Sequence, residues 1–164
     1  MGNRNDWGGF SLIEMLVATT VFSFGMGGMA ALMLSAAGGM SEAEHDTVAH
    51  LGAAAMVATL QLSPVALDHL ANPPQFAPLC FEDDSCTAED WLTGQYAVWR
   101  ARLARDLPDG AGVVCRDSTP IDGEAGAPAC DGSGPVVSKV FWTEPRHAND
   151  EDGGARRAVA QLPQ

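Results

Sequence analysis

Positive charge is scarce in this chain. Nine Lys and Arg stand against 21 Asp and Glu in 164 residues, a formal net charge of -12. No basic run exceeds Arg156-Arg157, and these sit beside Asp150, Glu151 and Asp152. Binding phosphates needs a basic face, so this balance argues against a nucleic-acid partner. The acidity itself speaks for solubility rather than for a function. A P-loop and a dinucleotide fingerprint are also missing. His45, His50, His69 and His147 are scattered, and the first two are five apart rather than at the i, i+4 spacing of a helical metal pair. Ser118 and Ser133 lie in no nucleophile motif. Glu82-Asp83-Asp84 is a single acidic triplet without the ligand count of a calcium loop, and it reads as a solvated turn. No catalytic residue, metal or cofactor is therefore assigned, and there is no internal repeat.

What is present is unevenly distributed. From Met15 to Ser41 there is no charged side chain, a stretch long enough to span a bilayer. It is too long for the core of an ordinary signal peptide, which runs about 7–15 residues. Arg4 precedes it, while Glu42, Glu44 and Asp46 follow, which favours a cytoplasmic N-terminus. All four cysteines, Cys80, Cys86, Cys115 and Cys130, lie beyond it, on the side expected to be oxidising. An even count in a small exported domain reads as a disulfide framework. Zinc is the weaker alternative, because the spacings contain no C-x-x-C pair. Of three connectivities, the sequence-local one is expected: Cys80–Cys86 with Cys115–Cys130.

Glu14 is the anomaly of the apolar run Phe10–Met40, four residues after Phe10. A carboxylate at the centre of a membrane helix costs about 2.5–3.5 kcal/mol on insertion scales. The cost is lower near the start of the segment, where the helix N-terminus favours an anion. An interfacial Glu is the plain reading. The functional one is that Glu14 needs a cation inside the membrane, and Met15–Ser41 offers none.

Residues Gly9-Phe10-Ser11-Leu12-Ile13-Glu14-Met15-Leu16-Val17-Ala18 resemble the prepilin cleavage and assembly motif of type IV pilins and type II secretion pseudopilins. The resemblance implies that prepilin peptidase cuts between Gly9 and Phe10 and N-methylates Phe10, with the apolar segment retained. It also implies that Glu14 meets the N-terminal amine of a neighbouring subunit, which would supply the missing cation. A small-residue stripe, Gly27, Ala31, Ser35 and Gly39, suits close helix packing in a membrane. Gly25, Gly27 and Gly28 weaken the helix, and in the family a comparable stretch unwinds within the assembled filament.

Beyond Ser41 the helical period continues. Val48, Leu51, Ala55, Ala58 and Leu62 share one face, the one expected to pack on the head, with Pro64 ending or kinking the helix. Val65–Leu70 is an extra turn, and Asn72-Pro73-Pro74-Gln75 is a break. Thr87 opens a second helix, with Asp90 completing an approximate capping box. Its apolar face is Leu92, Tyr96, Trp99 and Leu103, with Arg100, Arg102 and Arg105 pointing elsewhere; Leu107-Pro108-Asp109-Gly110 stops it. Three strands are expected at Gly112–Cys115, Val136–Thr143 and Arg156–Leu162, the second partly alternating. The Gly/Pro/Asp-rich loop Arg116–Pro135 would be tied at its base by Cys115–Cys130, and His147–Gly154 is an acidic loop.

The head order Cys80, Cys86, Trp99, Leu107-Pro108-x-Gly, Val114-Cys115-Arg116-Asp117-Ser118-Thr119-Pro120, Pro128-x-Cys130-Asp131-Gly132 and Phe141-Trp142 is similar to minor pilins of the PilV, or type IV pilus modification, type. The expected fold is α+β and type IV pilin-like: a long N-terminal transmembrane helix, then a small periplasmic head of one helix and a short antiparallel sheet. The expected organisation is leader 1–9, transmembrane and assembly helix 10–41, and head 42–164. The implied role is a minor pilin that helps initiate, assemble or modify a type IV pilus from the bacterial inner membrane. Its implied partners are prepilin peptidase, other minor pilins and the pilus assembly machinery. The alternatives are a type II secretion pseudopilin and, from another class, a membrane-anchored periplasmic enzyme or binding module.

Overall fold

A computed structural model describes residues 10–62, 70 and 87–163. The order is α1 (Leu12–Leu62), α2 (Ala88–Asp106), β1 (Ala111–Arg116), β2 (Val136–Thr143), a 3-10 turn (Pro145–His147) and β3 (Ala155–Gln161). A long apolar helix, a second helix and a three-stranded antiparallel sheet make the pilin-like α+β fold. The chain divides into two compact units, Met1–Ser41 and Glu42–Gln164. The leader 1–9, Pro64 with the turn and break after it, His69, the triplet Glu82-Asp83-Asp84, and Cys80 and Cys86 lie outside the described residues.

In the first unit α1 is unbroken through Gly25, Gly27 and Gly28, so the helix holds there despite their low propensity. Three hydroxyls of its N-terminal half bond within the helix. Thr19 donates to the carbonyls of Met15 and Leu16, Thr20 to those of Leu16 and Val17, and Ser23 to that of Thr19. That arrangement suits an environment with no water to accept the protons.

In the second unit the sheet order is β1-β2-β3 with both pairings antiparallel. Thr87 caps α2 with the full reciprocal box: its hydroxyl accepts from the Asp90 N–H, and the Asp90 carboxylate accepts from the Thr87 N–H. Donation from the Thr87 hydroxyl, and then from its N–H, holds the Asp90 carboxyl below the usual carboxylate range. Leu92, Tyr96, Trp99 and Leu103 are buried as one face of α2, and the helix stops at Leu107. They pack on Val114, Val136, Val140, Trp142 and Ala158 of the sheet. The strands match the expected ones to within a residue or two at each end.

The face of α1 that enters this core is not the expected one. Ala49, Ala53, Met56, Val57 and Leu60 are buried, whereas Leu51 is 65% and Leu62 82% exposed. Val48 packs only at the edge of the core, and Ala55 and Ala58 are exposed. The period is right and the phase is wrong, because the contact selects small residues. The Trp99 indole N–H donates to the Gly52 carbonyl at 2.9 Å, and a Cβ on Gly52 would stand 3.0 Å from Leu103 Cδ2. Large side chains on this strip of α1 would hold α2 away.

The expected alternation of β2 sets Val137, Lys139 and Phe141 opposite Val136, Val140 and Trp142, and all of Val136–Trp142 is buried. Side chains still alternate between faces. Val136, Ser138, Val140 and Trp142 meet the helices, while Val137, Lys139 and Phe141 lie under the loop between β1 and β2. Both faces of the sheet are therefore covered, one by helices and one by a loop.

Candidate processing and assembly site

Phe10 is 81% exposed and precedes the helix, which begins at Leu12. Ser11 accepts from the N–H groups of Glu14 and Met15 at 3.0 and 3.2 Å, so its carbonyl closes the first turn. Glu14 lies in that turn. Its side chain has no hydrogen bond or ion pair among the described residues, and the side chains around it, Leu12, Ile13, Met15 and Leu16, are all exposed. The site is an unpaired carboxylate one helical turn from residue 10, on an apolar surface that nothing in its own unit covers. By length and composition α1 suffices to cross a membrane, with mean hydropathy 1.6 in its apolar window and none of that window buried.

Residues 8–30 match the prokaryotic N-terminal methylation motif. The chain is prepilin-like at its N-terminus. This motif implies processing by prepilin peptidase and assembly by pilus or pseudopilus machinery, and it points to a structural, membrane-anchored pilin rather than to an enzyme. No curated protein and no solved structure matches the chain.

The prepilin-like chain carries its polar chemistry in the head, where the sequence signals were partial. Cys115 and Cys130 are bonded, with Cα atoms 6.1 Å apart. The loop they close is held down by a residue that received no role from the sequence. Lys139 is fully buried at the middle of β2 and ion-pairs with Asp117, itself fully buried. Its ammonium also donates to Asp122 Oδ1 at 3.0 Å, to the Asp122 carbonyl at 3.2 Å and to the Pro128 carbonyl at 2.9 Å. Arg157 of β3 donates to the carbonyls of Ile121 and Gly123 from the same face. Lys139 thus occupies the place that a bound cation would take in an Asp-rich loop. The one available signal was a lone Lys in an otherwise apolar strand.

The candidate nucleophiles and metal ligands are dispersed. Ser118 and Ser133 both bond Asp131 and have no His partner there. Four such bonds, the Ser118 hydroxyl first, lower the Asp131 carboxyl from 3.8 to about 2. Asp122 is lowered too, first by the Thr119 hydroxyl and then by Lys139. His50 pairs with Asp46 at 3.7 Å. Two longer-range pairs cross between α1 and the 3-10 turn: His45 Nδ1 to Glu144 at 3.1 Å, and His147 Nε2 to Glu42 at 3.4 Å. Glu144 is only 2% exposed, so this pairing fastens the β2–β3 connection to the helix. Among the described residues no group of three or more His, Cys, Asp or Glu is placed to hold a metal.

Proposed function

We propose that this chain is a minor pilin of the PilV type, cut by prepilin peptidase after Gly9, N-methylated at Phe10, and retained in the inner membrane through residues 10–41 with its head, 42–164, in the periplasm. From there it helps initiate, assemble or modify a type IV pilus. The observation that carries the reading is Glu14, a carboxylate unpaired among the described residues, on an exposed apolar helix four residues after the proposed new terminus. A carboxylate and an ammonium are each costly in lipid. Pairing Glu14 of one subunit with the methylated amine of the next offsets both costs and favours one axial register.

The head supports the finer assignment through the Leu107-Pro108-x-Gly stop of α2 and the loop closed by Cys115 and Cys130. Mass spectrometry of the chain from cells with and without active prepilin peptidase tests the reading. A methylated Phe10 terminus that appears only with the peptidase is expected; an uncut leader in both would overturn it. Deleting the type IV pilus or the type II secretion assembly platform in turn separates the minor pilin from a pseudopilin, since only the cognate deletion should abolish incorporation.

A further inference from the structure

Lys139 is the only lysine in the chain, and it is fully buried. Lysine is almost never found there unless it is paired. Its ammonium ion-pairs with Oδ2 of Asp117, a carboxylate equally closed to solvent. The other oxygen, Oδ1, accepts from the Thr119 N–H at 2.9 Å, and the Asp117 N–H donates to the Pro135 carbonyl at 3.1 Å. The carboxylate is thus clamped with one oxygen turned to the amine. A third group completes the set: Asp122 Oδ1 lies 3.0 Å from the same nitrogen, on a side chain 47% exposed.

An amine and a carboxylate held together out of water are the two halves of an amide. In solution, water favours hydrolysis. A well-oriented pair instead behaves as though its partner stood at about 10⁵ M or more, far above the concentration of water. Burial also keeps out the water that would reverse the step.

We propose that Lys139 and Asp117 condense into an intramolecular amide once the chain has folded. Asp122 takes a proton from the ammonium, and the freed amine attacks Cγ of Asp117. The Thr119 N–H holds Oδ1 as negative charge gathers on it. The bond from Cγ to Oδ2 then breaks. Oδ2 leaves as water with two of the three ammonium protons, one of them delivered by Asp122, and the third stays on the amide nitrogen. Asp122 ends as it began, and no outside reagent is consumed. The ion pair holds a freshly folded chain; the amide is what that pair matures into, tying β2 to its loop independently of the disulfide.

The test is peptide mapping of the full-length chain from membranes, fresh and after storage at neutral pH. It would be reduced, alkylated and cut with trypsin. Unlinked chain gives fragments 117–139 and 140–146. Linked chain resists cleavage after Lys139 and gives 117–146 lighter by one water, in a fraction that grows on storage. The Asp-Gly steps at Asp122 and Asp131 also lose water when they close to succinimides, but that leaves Lys139 cleavable. Lys139→Arg keeps the charge without the amine and should show no loss of water across 117–146 that depends on residue 139. Asp122→Asn should leave the chain unlinked with circular dichroism unchanged. Complete cleavage after Lys139 in the stored wild type, an uncut 117–146 fragment lighter by one water in Lys139→Arg, or full linkage in Asp122→Asn would overturn the proposal.

Discussion

Lys139 and Asp117, both without solvent exposure, form an ion pair that joins the middle strand to the first residue of the loop covering it. Asp117 is fixed in turn: its Oδ1 accepts from the Thr119 N–H at 2.9 Å, and its own N–H donates to the Pro135 carbonyl at 3.1 Å. A Gly-, Pro- and Asp-rich loop has little apolar surface with which to cover a sheet. It covers this one by presenting carbonyls and carboxylates to a cation that the sheet supplies.

The buried pair makes an asymmetric prediction. Lys139→Met leaves Asp117 as a buried charge without its counterion and should cost about 3–5 kcal/mol. Replacing both, Lys139→Met with Asp117→Leu, removes the stranded charge and should recover much of that loss. Denaturant unfolding of the full chain in detergent, followed by tryptophan fluorescence, measures both. A single variant within 1 kcal/mol of wild type would refute the assigned role.

The disulfide closes the same loop from the other end. Cys115 and Cys130 are separated by 15 residues, and a closed loop of that size stabilises by about 3 kcal/mol in the chain-entropy model. The double Ala variant should lose about that much, while Lys139 and Arg157 still hold the middle of the loop. Limited proteolysis should then cut within residues 116–135 before it cuts either helix. First cleavage elsewhere would show that the bridge is not what restrains the loop.

Acid should loosen the loop at Asp131. Its carboxyl is lowered from 3.8 to about 2 by bonds from Ser118 and Ser133, so the folded state holds the proton less tightly than the unfolded chain does. The stabilisation is complete above the unfolded value and is lost as pH falls from about 4 to about 2. Hydrogen exchange at the Ser118 and Ser133 amides should accelerate over that interval. Asp131→Asn should show fast exchange already at neutral pH and no acid step; an unchanged step in that variant would assign it to another carboxylate.

The sequence made most of the elements legible because their signals are local. The Thr87–Asp90 box, the Leu107-Pro108-Asp109-Gly110 stop and the β-branched run at Val136 each act within a few residues. What stayed hidden depends on contacts distant in the chain. The phase of α1 is set by where Trp99 and Leu103 land, 47 or more residues away, and they select Gly52 and Ala53 over the larger Leu51. The role of Lys139 stayed hidden because its partners, Asp117 and Asp122, sit in a loop without periodicity. The Glu42–His147 and His45–Glu144 pairs were invisible for the same reason, with 99 residues separating the latter. The processing end, by contrast, is a contiguous motif and needed no tertiary information.

Glu14 carries the last prediction. Its side chain projects from the first turn of α1 without a partner among the described residues, so removing the charge should leave the folded subunit intact and change only what the subunit meets. Glu14→Ala lowers the cost of holding this segment in lipid, and membrane retention should be at least as good as in wild type. Cleavage after Gly9 should also persist, because the proposed scissile bond lies four residues away in sequence from the altered side chain. Recovery of the chain in sheared filaments should fall about tenfold or more, while its level in the membrane fraction holds. Glu14→Asp should restore part of the loss, since it keeps the charge but shortens its reach. Wild-type incorporation of Glu14→Ala would mean that helix packing alone sets the register and that the carboxylate is only an interfacial residue.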